Sequence, residues 1–130
     1  MREAFSLNET KNREGVDLSQ QAILDVQARL QAEGIDLMVV LMPTKEEVYQ
    51  TWTAEQLGQD VLAEISEGRL EMLQFCEANE LSCIDMTGTL TDHANVGELV
   101  YHAQDTHLNT AGNRVVANKL APELEIILGK

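Results

Sequence analysis

IDLMVVLMP, residues 35–43, is an aliphatic run without polar alternation that follows Gly34 and ends in Pro43. Apolar side chains on consecutive positions suit a strand covered on both faces, and such strands belong to parallel sheets. Upstream, Leu18, Ala22, Ile23, Val26 and Leu30 recur at helical spacing, and Gly34 is a natural stop after the last turn. Residues 1–17 are polar without a sustained period and read as an N-terminal arm ahead of a single domain over 18–130.

Downstream, two capping-box spacings follow: Thr44 with Glu47, and Thr53 with Gln56. The first predicts a short helical turn through Val48, Tyr49 and Trp52. The second predicts the start of a long helix with Leu57, Val61, Ile65, Met72 and Cys76 along one side and Gly68 as a bend. SCIDM, residues 82–86, reads as a second strand, and residues 87–104 as a connection in which GELVYH forms a short extended piece. A last helix is expected from Asn109 or Thr110 through Val115, Val116 and Leu120, with Pro122 ending it or opening a final turn.

Strands alternating with helices predict an α/β fold with parallel strands and right-handed crossovers. Two or three strands make a very small sheet, and parallel sheets normally have several neighbours. The expected architecture is therefore a partial doubly wound, three-layer sandwich, completed by another copy, another chain or a further segment.

Composition narrows the function classes. The 130 residues allow one domain, and 44% hydrophobic with 24% charged residues is ordinary for a globular chain. Nine Lys and Arg face 22 Asp and Glu, a formal net charge of −13. Such a surface repels phosphate backbones and anionic lipids, so no nucleic-acid partner is expected. The longest apolar run falls well short of the roughly 18–20 residues that cross a bilayer, so no membrane insertion is expected either. The opening MREAFSLNETKNREG lacks the apolar middle of a signal peptide. Cys76 and Cys83, seven positions apart, match neither a CxxC motif nor a zinc spacing. Two reduced, partly buried thiols are the expected state, with a disulfide as the alternative.

The chemistry concentrates in Tyr101-His102-Ala103-Gln104-Asp105-Thr106-His107-Leu108-Asn109-Thr110-Ala111-Gly112. Asp105 and His107 are two apart, so in an extended segment both side chains project to one side. A carboxylate placed so fixes the tautomer of an imidazole that serves as general base. The plainer reading is that both are turn and capping residues. The segment follows the second strand and enters a helix, on the side of the sheet where open α/β folds place their sites. His93, His102 and His107 with Asp92 and Asp105 offer metal-ligand types, but spacings of nine and five match no recurrent ligand pattern. No phosphate loop, GxGxxG or zincin motif is present, so no cofactor is expected. Tyr49 and Trp52 could line a sugar-binding surface, or simply pack.

DTHLNTAGNRVVANKL, residues 105–120, resembles the last sequence block of the SGNH hydrolases, most closely their alginate O-acetyltransferase-related branch. MVVLMPTKEEVY, residues 38–49, resembles that branch's strand ending in Pro-[Ser/Thr]-Lys with a Tyr four residues on. The resemblance spans roughly residues 18–121 and implies a flavodoxin-like, SGNH-type fold. It also implies an acyl-transfer role on acetylated carbohydrate or other acyl esters, with His107 as general base and Asp105 as its orienting partner. Lys45 and Tyr49 match a recurring element without an implied catalytic role. Members of that branch typically work in the bacterial envelope, and nothing in this sequence fixes a compartment.

The sequence departs from the pattern at the nucleophile. Ser6, Ser19, Ser66 and Ser82 are its serines, and none follows a strand in a Gly-Asp context. No oxyanion block is recognisable. The expectation is thus the Asp-His part of a Ser-His-Asp triad without its serine. The alternative is a non-catalytic module that keeps the scaffold and associates with itself.

Overall fold

The computed structural model describes residues 6–129. Its sheet consists of β1 (Met38–Leu41) and β2 (Ser82–Asp85), paired in parallel with Met38 opposite Ser82 and Leu41 opposite Asp85. Around it lie α1 (Thr10–Ala32), α2 (Lys45–Val48), α3 (Gln50–Leu57), α4 (Gln59–Ala78), α5 (Thr87–Asn95) and α6 (Thr110–Ile127).

Side chains alternate between the two faces of a strand, and the register sorts them into layers. Val40 and its partner Ile84 pack against the main core, which contains Val48, Met86, Leu90, Val100, Tyr101 and Val115. The neighbouring pair, Val39 and Cys83, faces the other way, where Cys83 is bonded to Cys76 on α4. Helices α5 and α6 thus cover one face with α2, and α4 with α1 behind it lies toward the other. This is the partial α/β sandwich expected from the two apolar runs, with two strands in the sheet. Among the described residues both outer strand edges are unpaired.

Several local expectations are corrected. Helix α1 begins at Thr10, so residues 10–17 of the expected arm are its first turns. Their polar side chains are largely solvated, and Arg13 pairs with Glu71 of α4 across the surface. No residue of α1 is fully buried, and Leu18 and Val26 of its apolar face are exposed. Thr53 does not cap a helix: it lies inside α3, fully buried, and its hydroxyl donates to the Glu46 carbonyl at 2.9 Å. The break falls instead at Gly58, whose φ of 95° and ψ of 153° suit glycine and separate α3 from α4. Gly68 leaves α4 continuous.

Part of the expected connection, Thr87–Asn95, is helical; only Leu90 and Thr91 of it are buried, too few to print a period. Pro122 sits within α6, where the carbonyl it frees belongs to exposed Asn118 and can meet water. The cysteines are not free thiols. The chain reverses between the end of α4 and the start of β2, bringing their Cα atoms to 6.2 Å, within disulfide reach.

Candidate acyl-transfer site

The turn that leaves β1 is built to receive a second segment. Thr44 caps α2 by accepting from the Glu47 amide, and the Glu47 carboxylate accepts from the Thr44 amide at 2.8 Å. This fixes Lys45 and Tyr49 on one short stretch. Opposite them, Tyr101 and Leu108 form an antiparallel bridge, and the His102 amide donates to the His107 carbonyl at 3.0 Å. Residues 102–107 are thereby closed into a loop.

Lys45 and Tyr49 hold that loop by its backbone. Lys45 Nζ donates to the carbonyls of His102, Ala103 and Asp105 at 2.5, 3.0 and 3.3 Å. The Tyr49 hydroxyl accepts from the amides of Val100 and Tyr101. In return the Tyr101 hydroxyl donates to the Pro43 carbonyl at 2.7 Å, and the two tyrosine rings meet edge to face. Burial, with smaller contributions from Glu47, Tyr49 and Glu46, pushes the Tyr101 phenol up to about 12. The Pro43-Thr44-Lys45 and Tyr49 element therefore fastens the Asp-Thr-His loop.

Asn109 and Gly112 fasten the other end. Asn109 accepts from the Gly112 amide as the N-cap of α6, while its Nδ2 donates to the carbonyls of Leu99 and Tyr101. A Cβ at Gly112 would lie 2.1 Å from the Val100 carbonyl oxygen, so only glycine lets the helix start this close.

Within the loop, Asp105 Oδ1 accepts from the His107 amide at 2.8 Å and lies 3.4 Å from His107 Nδ1. The segment is bent rather than extended, because that Asp-to-amide bond folds residues 105–107 into a turn. The two side chains still meet, now across the turn. The bond from the His107 amide, opposed by desolvation and helped by the nearby His102 and His107 rings, holds the Asp105 carboxyl below its ordinary value. The His107 side chain is 84% exposed.

The serines lie elsewhere. Ser19 donates to Gly15 within α1, Ser66 lies on α4, and Ser82 opens β2 at the opposite end from Asp85. Buried Ser6 accepts from the Asn8 amide. Among the described residues no serine bonds to His107, and no group of three or more His, Cys, Asp or Glu is placed to hold a metal ion. His93 instead pairs with Glu98 at 2.7 Å, which holds the Glu98 carboxyl below its ordinary value.

Two features were not legible in the sequence. Arg69 of α4 bridges buried Glu47 at 2.7 Å and Asp85 at 2.6 Å, tying the end of β2 to α2. Arg69 stands among Ser66, Glu67, Gly68 and Glu71, so nothing in the local sequence sets it apart from an ordinary solvated helix face. A groove of about 640 Å³ also opens beside the loop, floored by Tyr49, Thr53 and Tyr101 and edged by Lys45, Glu46, Trp52, Leu99 and residues 103–106.

No helix is long and apolar enough to cross a membrane among the described residues. No curated protein and no solved structure matches the chain. A family match does: the SGNH hydrolase-like domain of acetyltransferase AlgX covers residues 2–127, both fastened segments included. The strand ending in Pro-Thr-Lys, the loop it holds and nearly the whole length of the sequence thus fall inside one domain description, and the chain belongs to the SGNH hydrolase-like domain family of acetyltransferase AlgX.

Proposed function

We propose that this chain supplies the Asp-His half of a serine-type acyl-transfer centre acting on acyl esters of the kind carbohydrates carry. The observation that carries the reading is the 3.4 Å approach of Asp105 Oδ1 to His107 Nδ1 on a loop fastened by Lys45. Asp105 favours the tautomer with the proton on Nδ1, leaving Nε2 free as a base. His107 then takes the proton of a serine hydroxyl as its oxygen attacks the ester carbonyl. It returns that proton to the departing alcohol, and the acyl group rests on the serine until a second hydroxyl accepts it. The serine comes from another chain, a further segment or one of the four present, Ser6, Ser19, Ser66 or Ser82, in this or a second copy.

The test is acetyl-ester turnover together with fluorophosphonate labelling, read by intact mass. His107→Ala should abolish both, and Asp105→Asn should slow turnover by about 10²–10⁴-fold. Labelling and turnover that ignore His107→Ala would sink the reading. Absence of any adduct between pH roughly 6 and 9, where an ordinary imidazole is at least partly neutral, would remove catalysis by the chain alone.

A second reading, a non-catalytic module that associates with itself, is favoured by one observation: both outer edges of the two-stranded sheet are unpaired among the described residues.

A further inference from the structure

Arg69 divides its guanidinium between two carboxylates, and each carboxylate has a second task. Nε donates to Glu47 Oε1 at 2.7 Å, and Nη1 donates to Asp85 Oδ2 at 2.6 Å. With its other oxygen Glu47 accepts from the Thr44 amide and hydroxyl, at 2.8 and 3.1 Å. Asp85 Oδ1 likewise accepts from the Thr87 amide and hydroxyl, at 3.0 and 2.6 Å. One side chain thus joins the turn after β1 to the turn after β2. The Glu47 side chain is 3% exposed and that of Arg69 15%, and a carboxylate so far out of water needs a charged partner. The residue after Thr44 is Lys45, whose ammonium meets the carbonyls of His102, Ala103 and Asp105.

We infer that Arg69 is a positioning residue for the Asp105–His107 loop, acting through Glu47 and the capping box to set where Lys45 meets the loop backbone. What the loop then does rests on the acyl-transfer reading; the tie itself does not. Tyr49 and Tyr101 hold the foot of the loop, through Val100, Tyr101 and Pro43. Lys45 reaches further along it, to Ala103 and Asp105, where Asp105 accepts from the His107 amide. A displaced Lys45 is therefore felt at the pair itself, and small misplacements of a catalytic group cost much rate. Arg69 is not a lining residue of the groove, so its action passes through the scaffold. Lysine could not replace it. An ammonium is a single point charge that can neutralise Glu47, whereas the planar fork of arginine spans both carboxylates.

The test is amide hydrogen exchange of the full chain, followed residue by residue by NMR. The His102 and His107 amides close the loop, onto the His107 carbonyl and Asp105 Oδ1. Arg69→Lys should speed their exchange by about tenfold, the effect of one lost charged hydrogen bond, and leave the amide of buried Val115 in α6 at its original rate. Lys45→Met should do the same. Combining the two should exchange no faster than Lys45→Met alone, because one acts through the other. Effects that multiply would overturn the inference, as would an unchanged loop in Arg69→Lys or an equal acceleration at Val115. Glu47→Gln with Arg69→Met removes both buried charges, and glutamine still serves the capping box, so this variant folds if Arg69→Lys does not. Its loop should again exchange fast; a slow loop would reduce Arg69 to neutralising Glu47 and overturn the positioning role. In acetyl-ester turnover Arg69→Lys should lower kcat and leave KM unchanged, and a change in KM alone would count against it. A chain whose turnover ignores His107 loses the catalytic reading, while the exchange rates still decide this one.

Discussion

Gly112 shows how much of the sequence block around Asp105 and His107 concerns fit rather than chemistry. A methyl there would lie 2.1 Å from the Val100 carbonyl and 2.9 Å from a Leu108 methyl, and the carbonyl belongs to backbone that cannot swing aside. Gly112→Ala should therefore destabilise the chain by about 1–3 kcal/mol in urea unfolding, despite alanine's better helix propensity. An unchanged or raised midpoint would show that α6 can slide away. Tyr101 provides a second test, by pH. Its phenol is raised in the fold to about 12 from an ordinary 10. A raised folded value gives stability that is complete below pH 10 and disappears as pH climbs toward 12. Tyr101→Phe loses the hydroxyl bond to Pro43, so it should be less stable at pH 7 by about 1 kcal/mol. That deficit should shrink and reverse above pH 10, and a deficit constant with pH would remove the titration argument. At this scale the sequence reading found Asp105, His107, Lys45 and Tyr49 by pattern. It could not assign the last two, because their work is hydrogen bonding to backbone carbonyls and amides some 50 to 60 positions away. Backbone partners leave no residue type for a motif to display.

Elements follow the same logic, since those with a marked period or stop were legible and those stabilised by distant partners were not. The aliphatic run at 35–43 and SCIDM both contain strands, and Thr44 with Glu47 is a true capping box. Thr53 with Gln56 has the same spacing, yet Thr53 is buried and donates to Glu46, so tertiary contact overrides a local signal. Helix α5 was missed because Leu90 and Thr91 are its only buried residues, and a helix of nine residues with so few buried positions prints no period. The junction of α4 and β2 was read for its two ends but not for the bond between them. Cys76 and Cys83 close a short loop, and the chain-entropy relation for a loop of this size gives a contribution of about 2.5 kcal/mol. Reduction should therefore lower the thermal midpoint by roughly 10 °C, and the denatured, unreduced chain should show no titratable thiol. Two reactive thiols in that assay, or a midpoint indifferent to reductant, would return the pair to the free state.

For the whole molecule the question is what covers the surface that the fold leaves bare. The main core cluster lies on the sheet face under α2, α5 and α6, Ile65 and Cys76 of α4 are buried apart from it, and α1 contributes no fully buried residue. Leu18, Val96, Leu99, Ile126 and Leu128 are each well over half exposed, and the sheet has two unpaired edges among the described residues. A second copy would cover apolar surface and extend the sheet, but each copy carries a net charge of −13. Two terms of opposite sign therefore set the association. Like-charge repulsion weakens as the screening length falls from about 10 Å at 0.1 M salt to about 3 Å at 1 M, whereas apolar burial and strand pairing do not. Self-association should strengthen with salt and with approach to the isoelectric point near 4.4. Sedimentation equilibrium should find mass rising from 14.4 kDa toward twice that value as salt is raised at fixed protein concentration. Dissociation on adding salt would mean that ion pairs hold the copies together and the strand edges do not. A fixed 14.4 kDa at 1 M salt would leave the bare surface to a different chain or segment, which is also where the acyl-transfer reading looks for its serine.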